Sequence, residues 1–463
     1  MRVKANRFLL AGGILLALNV HSASAKNLHV GTCATKGTIY TTIQSAVDAA
    51  SPGDVVTVCA GDYPEQVTIT KSLTLKGATG AQATRITVPA GGLVQNTTTQ
   101  GSGFPTAAQV LVSPDTTADA DIRNIVVDGT GNNIQTCGLQ FAGIYYRNAG
   151  GTIFQSTAQN QMLPDGYQGC QSGLAIFVEN VTPGTDAVTI EKSTVTNFDK
   201  NGITVEAAAA DAIIEHNTVT GIGPTDLIAQ NGIEVSYGAT AKITSNTISN
   251  LIYSPQTYGS SGIIMYQLDS GAYQAPTLVQ SNTIDNTQYG IVLDAVNGTA
   301  DNPVQVSKNK ISNSQFVGVG LYSDGISDDY ISVTKNKIDT TGIYDGIDAC
   351  SDNNTIANNT VTNSTTESAI HLDAECVQPD NSASGSGNSV SGNKINVACV
   401  GILSGPPQGA NTIGANKFID VTNPFIYNTD TYSCTPAHAQ AHHLSKKTGH
   451  SAAWPVALSP VRR

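Results

Sequence analysis

The sequence predicts an all-β fold: a right-handed parallel β-helix, in which short strands stack as the coils of a solenoid behind a short N-terminal capping helix. Three observations support this fold class. A motif centred on asparagine recurs nine times, a Gly-Ile motif recurs between its copies, and only 13% of the residues are charged. A chain rich in Thr, Ser, Asn and Gly favours turns and tightly stacked strands over helices.

The asparagine motif reads [Ile/Val]-x-x-[Asn/Ser]-x-[Ile/Val/Phe], and its central residue recurs at intervals of 23 to 36 residues. The central residues are Ser193, Asn217, Asn246, Asn282, Asn309, Asn336, Asn359, Asn393 and Asn416. β-Branched residues favour strands and asparagine tolerates the left-handed backbone of a tight bend, so each copy predicts a strand, a bend and a second strand. The variable interval predicts loops of variable length that leave a constant coil.

The second motif, Gly-Ile-x-apolar, predicts a further strand in each coil. Its copies begin at Gly202, Gly232, Gly262, Gly290, Gly318 (followed by Val319), Gly346 and Gly401, with Ala369-Ile370 as a variant. One such unit cannot bury its own apolar face, whereas stacking successive units at about 4.8 Å buries that face. A helical solenoid would need amphipathic segments of ten or more residues and a β-sandwich would need regular hairpin signals; these coils have neither.

The N-terminal part predicts the cap that an open β-helix end needs. One face of a short helix would carry four apolar residues: Ile43, Ala46, Val47 and Ala50. A strand is predicted to follow over Val55–Val58. A helix over the first coil would keep other strands from pairing with its edge. Residues 95–114 and 152–172 are less regular, and we predict that they are loops leaving the early coils.

The first 25 residues have the form of a signal peptide. Arg2, Lys4 and Arg7 precede an apolar run, Phe8–Val20, that is shorter than the roughly 20 residues of a membrane span, and Ala23-Ser24-Ala25 fits signal-peptidase cleavage. We therefore expect three parts: a signal peptide at 1–25, the β-helix domain at 26–434, and a disordered, basic, histidine-containing tail at 435–463. A secreted, periplasmic or cell-surface location is expected, without a membrane span.

Eight cysteines fit an oxidising destination, because an even count in an exported chain indicates disulfide bonds. The sequence leaves their connectivity open. Pairing near neighbours along the chain gives Cys33–Cys59, Cys137–Cys170, Cys350–Cys376 and Cys399–Cys434.

The chain carries a formal net charge of −12 at pH 7. This charge repels phosphate backbones and argues against nucleic-acid binding. It also opposes the binding of polyanionic glycans, unless a cation such as Ca²⁺ bridges carboxylate to carboxylate. No metal site and no other cofactor is predicted.

Residues Thr42–Gly77 resemble the first coils of the pectin-lyase-like superfamily of right-handed parallel β-helix proteins. Within them, Gly61-Asp62-Tyr63-Pro64-Glu65 is similar to the GxYxE motif of pectin methylesterases, and with the later repeats the resemblance covers roughly residues 38–425. It implies the fold but no single activity, because this superfamily includes lyases, hydrolases, esterases, epimerases and non-enzymes.

Side chains alternate between the two faces of a strand, so each Gly-Ile strand predicts an inner and an outer set. The first and third residues after the glycine are apolar and are expected to fill the core. The second and fourth form a polar outer ladder, whose candidate substrate-binding residues are Glu206, Glu234, Tyr266, Asp294 and Tyr322. Carboxylates can bond sugar hydroxyls, and aromatic rings can cover C–H faces of sugars. A solvated polar face without a ligand is the alternative.

The densest part of the ladder holds Asp345, Asp348, His371 and Asp373, which we predict to be catalytic, with Glu375 nearby. Asp348 and Asp373 are one coil and two residues apart, which corresponds to about 8 Å. This distance lies within the roughly 6.5–9.5 Å that separates the two carboxyl groups of an inverting glycosidase. One of these aspartates would protonate the leaving oxygen and the other would activate water, while His371 tunes their protonation.

The segment Tyr344–Asp348 looks like part of the NTDGID motif of polygalacturonases, with Tyr344 in place of Thr and Ile343 in place of Asn. The Gly-Asp-Asp-Cys, His-Gly and Arg-x-Lys motifs of that family have no counterpart.

Two hypotheses about function follow from the sequence. The protein engages extracellular or cell-wall polysaccharide and cleaves it as a hydrolase or lyase, or it is a non-catalytic surface or matrix protein. The sequence does not fix the oligomeric state, and a monomer is expected.

Overall fold

The computed structural model describes residues 25–33, 37–78, 83–114, 118–268, 277–322, 329–341, 344–375, 384–432 and 434. Over these residues the chain is a right-handed parallel β-helix, as predicted. Most of the predicted signal peptide and the whole predicted tail lie outside the described residues, so both stay predictions. No helix in the described part of the chain is long and apolar enough to span a bilayer.

The structure contains one helix, α1 (Ile43–Ala49), and 39 strands within the described residues. The strands of the N-terminal third are β1 Asn27–Val30, β2 Ile39–Tyr40, β3 Val55–Val58, β4 Gly61–Pro64, β5 Val67–Ile69, β6 Leu73–Gly77, β7 Thr84–Thr87, β8 Thr97–Thr98, β9 Pro105–Val112, β10 Asp119–Arg123, β11 Ile125–Asp128, β12 Gln140–Arg147, β13 Gly150–Phe154, β14 Thr157–Gln161 and β15 Leu174–Glu179. The central strands are β16 Val188–Glu191, β17 Thr194–Phe198, β18 Asn201–Glu206, β19 Asp211–Glu215, β20 Thr218–Thr220, β21 Asn231–Ser236, β22 Thr240–Thr244, β23 Thr247–Leu251, β24 Ser261–Tyr266, β25 Leu278–Gln280, β26 Thr283–Thr287 and β27 Tyr289–Asp294. The remaining strands are β28 Val304–Ser307, β29 Lys310–Ser314, β30 Val319–Tyr322, β31 Ile331–Thr334, β32 Lys337–Thr340, β33 Ile347–Ala349, β34 Thr355–Ala357, β35 Thr360–Leu372, β36 Ser389–Ser391, β37 Lys394–Ser404, β38 Thr412–Ile413 and β39 Lys417–Tyr427.

These strands form two sheets, one of 15 strands and one of 24. The first sheet takes one short strand from each coil. The second sheet takes two strands from most coils, one after the other along the chain. In the last coils a single long strand, β35, β37 or β39, occupies both of these positions. We call the later of the two positions the third band; it comprises β5, β9, β12, β15, β18, β21, β24, β27, β30, β33 and the second halves of β35, β37 and β39.

The predicted capping helix is present, because its first turn has partners for its backbone N–H groups. The Thr42 hydroxyl accepts from the Ser45 N–H at 3.2 Å. The Glu65 carboxylate accepts from the N–H of Ile43 at 2.8 Å and from that of Gln44 at 2.9 Å. A carboxylate at a helix N-terminus both fills these otherwise unpaired donors and complements the helix dipole.

The asparagines of the repeat form a buried ladder, but the bend itself is made by the residue before each one. Lys308, for example, has a φ of 58° and precedes Asn309. The Asn309 Oδ1 accepts from the N–H and the Nδ2 of Asn282, at 2.9 and 3.0 Å. Its Nδ2 donates to the carbonyl of Val279 at 3.0 Å. The asparagine is therefore required for the hydrogen bonds of its side chain. The motif had led us to expect that the asparagine itself adopts the left-handed backbone, and that expectation is wrong.

The inner residues of the third band fill one continuous apolar core. Ile233, Ile291 and Ile370 are each 0% exposed and belong to a single buried cluster that runs from β1 to β37. Fully burying one such side chain contributes about 1.5–3 kcal/mol relative to leaving it in water. The inner half of the predicted alternation is therefore confirmed.

Two segments that we expected to be loops contain strands. Pro105–Val112 is an eight-residue strand of the third band. Gly150–Phe154 and Thr157–Gln161 pair with coils on both sides. These strands contain small and polar residues, including Ala107, Ala108 and the glycines at 150 and 151. They therefore lack the alternation of apolar and polar residues by which the later strands were predicted.

Three of the four near-neighbour disulfides are present: Cys33–Cys59, Cys137–Cys170 and Cys399–Cys434. Cys350 is also disulfide-bonded. Its predicted partner, Cys376, lies outside the described residues.

Candidate functional site

The outer ladder of the third band exists, but much of it is covered. Tyr266 is 4% exposed and Asp294 1%, whereas Glu206, Glu234 and Tyr322 are partly exposed. Strand alternation sets only the side on which a side chain lies; whether loops cover that side depends on the tertiary structure. The outer ladder is therefore not open to solvent at Tyr266 and Asp294.

Glu206 and Glu234 lie at the N-terminal end of this ladder, beside a third glutamate. Burial, followed by the nearby charges of Glu179 and Glu234, raises the pKa of Glu206 to about 8. Glu234 accepts hydrogen bonds from the side-chain amides of Asn201 at 2.8 Å and Asn231 at 3.3 Å. These two predicted substrate-binding residues thus lie several coils from the predicted catalytic residues.

The four predicted catalytic residues do meet, and a fifth joins them. Asp348 on β33 pairs directly with His371 on β35, and Asp373 follows the end of β35. His371 Nδ1 lies 3.3 Å from Asp345 Oδ2 and 3.6 Å from Asp348 Oδ1. On the other side of the ring, His371 Nε2 lies 3.6 Å from Asp430 Oδ1. We call Asp345, Asp348, His371, Asp373 and Asp430 the aspartate–histidine cluster.

Backbone and hydroxyl donors hold the carboxylates of this cluster in place. Asp345 Oδ1 accepts from the N–H of Ser368 at 2.9 Å and from its hydroxyl. The N–H of Glu375 donates to Asp373 Oδ1 at 2.7 Å; the side chain of Glu375 itself is exposed. Similar donors fix the carboxylates of Asp430 and Asp348. The Ala374 N–H donates to Asp430 Oδ1 at 2.8 Å, and the Tyr322 hydroxyl donates to Asp348 Oδ2 at 3.1 Å.

The cluster is buried, and its charges offset one another. Asp345, Asp348, His371 and Asp373 are between 1% and 7% exposed. Burial by itself favours the neutral form of His371, but its contacts with Asp345 and Asp430, together with the charge of Asp348, outweigh burial and raise its pKa well above the ordinary value. Burial likewise opposes ionisation of Asp345, yet the contacts of His371 and Ser368 hold the pKa of Asp345 below its ordinary value.

The predicted separation of Asp348 and Asp373 is wrong at the level of the side chains. An oxygen of Asp348 and an oxygen of Asp373 lie within 4.8 Å of each other. The estimate of about 8 Å described backbone positions, whereas the two side chains converge from neighbouring coils. An inverting glycosidase needs about 6.5–9.5 Å to leave room for water between its carboxyl groups, so this pair does not have that geometry.

A row of aromatic rings lies beside the cluster, and the sequence analysis missed it. Tyr289, Phe316 and Tyr344, from three successive coils, are all partly exposed. The ring centroids are 5.1 Å apart for Tyr289–Phe316 and 5.3 Å for Phe316–Tyr344, both in edge-to-face contact. We call these residues the aromatic row. Phe316 and Tyr344 precede their strands, so a search confined to the residues after each glycine could not find them.

The cluster offers ligands that could hold a cation. Three groups of residues have ligand atoms within 4.8 Å of one another: Asp345, Asp348 and His371; Asp348, Cys350 and Asp373; and His371, Asp373 and Asp430. Cys350 is disulfide-bonded and offers no thiolate, so the second group is reduced to two carboxylates.

One family model supports the fold, and several solved structures show a distant similarity. A family model for a right-handed beta helix region matches residues 142–338. The A-module of the mannuronan C-5 epimerase AlgE4 of Azotobacter vinelandii is 15% identical with a TM-score of 0.44, over 83% of this chain and 92% of that one. The catalytic domain of a GH87 α-1,3-glucanase, in complex with nigerose, is 12% identical with a TM-score of 0.48, over 87% and 68%. The periplasmic alginate epimerase AlgG is 12% identical with a TM-score of 0.44, over 81% and 77%. No curated protein matches the sequence, and identities this low do not identify an activity.

Proposed function

We propose that this protein engages an extracellular or cell-wall polysaccharide where the aromatic row meets the aspartate–histidine cluster. The observation that carries the proposal is this juxtaposition: Tyr344 directly precedes Asp345 in the chain, and its ring contacts that of Phe316, which in turn contacts that of Tyr289. Rings can cover the C–H faces of consecutive sugars, while carboxylates accept hydrogen bonds from their hydroxyls. Three rings in successive coils suit an extended chain better than a small compact ligand.

The charge of the protein favours a neutral glycan. The chain carries a net charge of −12, and four of the five cluster residues are aspartates. A polyanionic glycan would be repelled unless a cation bridged it to the protein. Secretion, or a periplasmic or cell-surface location, completes the proposal, and the disulfides of the described chain suit such an oxidising compartment.

Cleavage of the polysaccharide, as a hydrolase or lyase, is the finer part of the proposal. Asp348 is the cluster residue best placed for it, because its Oδ2 accepts from the hydroxyl of the partly exposed Tyr322. The test is a screen of the purified protein on a panel of neutral and acidic polysaccharides, with and without Ca²⁺. Reducing ends report hydrolysis and unsaturated products report lyase activity, while a binding assay on the same panel reports engagement.

If cleavage is detected, Asp348→Asn should lower turnover by about 10²–10⁴-fold, the usual contribution of a general acid or base. Asp211→Asn, an exposed aspartate on the opposite sheet, is the matched control and should turn over like the wild type. Turnover of Asp348→Asn within a factor of two of the wild type would reject the assignment.

Non-catalytic binding is the second candidate, and the burial of the cluster favours it. His371 and Asp373 are 2% and 1% exposed, so a glycan resting on the aromatic row would have almost no direct contact with them. In that case binding occurs without products, and Tyr344→Ala should weaken it by roughly tenfold through lost ring contact. No binding to any glycan of the panel would reject polysaccharide engagement as a whole.

A further inference from the structure

We propose that His371, Asp373 and Asp430 form a binding site for a divalent transition-metal ion, best suited to Zn²⁺. The site is in the same cluster as the proposed function and rests on that function for its use by the protein. Metal binding itself can be measured without any glycan, so the two proposals can fail separately.

The first argument is an unpaired nitrogen. His371 is 2% exposed, and its Nε2 has no hydrogen-bond partner within the described part of the chain. Its nearest acidic neighbour, Asp430 Oδ1, is 3.6 Å away, whereas an N–H···O hydrogen bond measures about 2.7–3.2 Å. Leaving a buried polar atom unpaired destabilises the fold, and a bound ligand would offset that loss.

The second argument is the spacing of the atoms around that nitrogen. Zn²⁺ binds histidine nitrogen and carboxylate oxygen at about 2.0–2.2 Å, which at a tetrahedral angle places two ligand atoms roughly 3.4 Å apart. The observed 3.6 Å from Nε2 to Asp430 Oδ1 fits such an edge. Asp373 belongs to the same group, since one of its carboxylate oxygens lies within 4.8 Å of a ring nitrogen of His371 and of a carboxylate oxygen of Asp430.

The third argument is the support behind each ligand. Asp345 Oδ2 lies 3.3 Å from His371 Nδ1, the arrangement in which a carboxylate orients a metal-binding imidazole so that its other nitrogen faces the ion. The N–H of Glu375 fixes Asp373, and the N–H of Ala374 fixes Asp430. Zn²⁺ would displace the proton that otherwise occupies His371 Nε2, and that proton would leave to solvent.

The donor set selects the class of metal. Ca²⁺ and Mg²⁺ take oxygen ligands, so neither would use the imidazole nitrogen. One imidazole and two carboxylates suit Zn²⁺, and three protein ligands leave the fourth tetrahedral position open to water or to a substrate oxygen. This differs from the Ca²⁺ bridge between carboxylates that the net charge suggested.

The test uses the full-length protein, stripped with a chelator, loaded with Zn²⁺, desalted and analysed for metal content. One Zn²⁺ per chain above the content of His371→Gln is expected. The comparison matters because the predicted tail carries His438, His442, His443 and His450, whose contribution both proteins share. Competition with a chromophoric chelator should show at least tenfold weaker binding in Asp430→Asn and about 10–100-fold weaker binding in the positioning variant Asp345→Asn.

Asp199→Asn, which replaces a buried aspartate on another coil, should keep the zinc content and affinity of the wild type. Co²⁺ in place of Zn²⁺ should give the strong visible absorption of a tetrahedral site, and His371→Gln should lose it. Circular dichroism of the metal-free variants shows that they fold; if His371→Gln does not, Asp430→Asn decides. Equal zinc content and affinity in the wild type and in the folded ligand variants His371→Gln and Asp430→Asn, or preferential binding of Ca²⁺, would overturn the proposal. Zinc binding at this site without glycan binding would uphold it and reject the proposed function.

Discussion

At the scale of single residues, burial decides the chemistry of ionisable groups more than residue type does. Asp199 is 0% exposed; one carboxylate oxygen accepts from the Leu163 N–H at 2.6 Å, and the other has no hydrogen-bond partner among the described residues. Burial outweighs that single hydrogen bond and raises the pKa of Asp199 to about 8. The folded protein therefore holds a proton that the unfolded chain releases near pH 4.

This proton predicts a pH-dependent stability difference for Asp199→Asn. Between about pH 4 and pH 8 the folded state binds one more proton at this site than the unfolded state, so the wild type loses up to about 1.4 kcal/mol of stability per pH unit from this group. Asparagine mimics the neutral acid and removes that loss. The stability of the variant relative to the wild type should therefore rise with pH, as measured by denaturant unfolding at pH 5, 6.5 and 8. A constant difference across that range would show that Asp199 is ionised in the fold.

The candidate site shows what residue patterns could and could not reveal. Strand alternation and the repeat register correctly grouped Asp345, Asp348, His371 and Asp373. Asp430 was missed because it follows the last strand and reaches the cluster from 56 residues beyond Ala374. A local pattern carries no signal for a contact over that distance in sequence.

At the scale of elements, most coils of the repeat region contain one buried asparagine and one closely packed glycine. We expect Asn309→Ala to lower the free energy of unfolding by about 2–5 kcal/mol, because it removes the side-chain acceptor of the buried Asn282 N–H, the side-chain donor to the Val279 carbonyl and one of the two donors to Asn336 Oδ1. Denaturant unfolding measures this loss. Lys310→Ala, an exposed neighbour on β29, should change stability by no more than about 0.5 kcal/mol. Equal stability of the two variants would show that the ladder contributes nothing.

The glycine of the Gly-Ile motif is required for space, as Gly290 shows. A Cβ on Gly290 would lie 2.4 Å from the carbonyl oxygen of Gly318 and 2.6 Å from Ile311 Cγ2. Gly290→Ala should therefore destabilise the protein by about 1–3 kcal/mol, as overpacking does. Gly91→Ala is the control, since nothing lies within 4 Å of its Cβ. Thermal unfolding of the two variants makes the comparison, and a shift no larger in Gly290→Ala than in Gly91→Ala would contradict the steric explanation.

At the scale of the whole molecule, the strands of each coil pair only with those of neighbouring coils, so stability should vary along the axis. The Cys399–Cys434 disulfide ties the chain that follows β39 back to β37, across a sequence separation of 35 residues. Replacing both cysteines with serine should speed amide hydrogen exchange in β37 and β39 and leave β18 to β24 unchanged. Replacing Cys137 and Cys170 instead should shift the effect to the N-terminal coils. Uniform acceleration along the whole chain would show that the solenoid unfolds as a single cooperative unit.

The sequence by itself determined the fold class, the stacking of the coils, the inner and outer sides of the Gly-Ile strands and the helix that caps the first coil. These features depend on the alternation of apolar residues within a strand and on a repeat that recurs every 23 to 36 residues, and both patterns can be read directly from the sequence. Only the tertiary structure decided that Tyr266 and Asp294 are covered, that Asp348 and Asp373 converge, and that Asp430 completes the cluster. The reason is physical: backbone hydrogen bonding fixes where a strand lies, but the direction and cover of its outer side chains depend on segments that are distant in sequence.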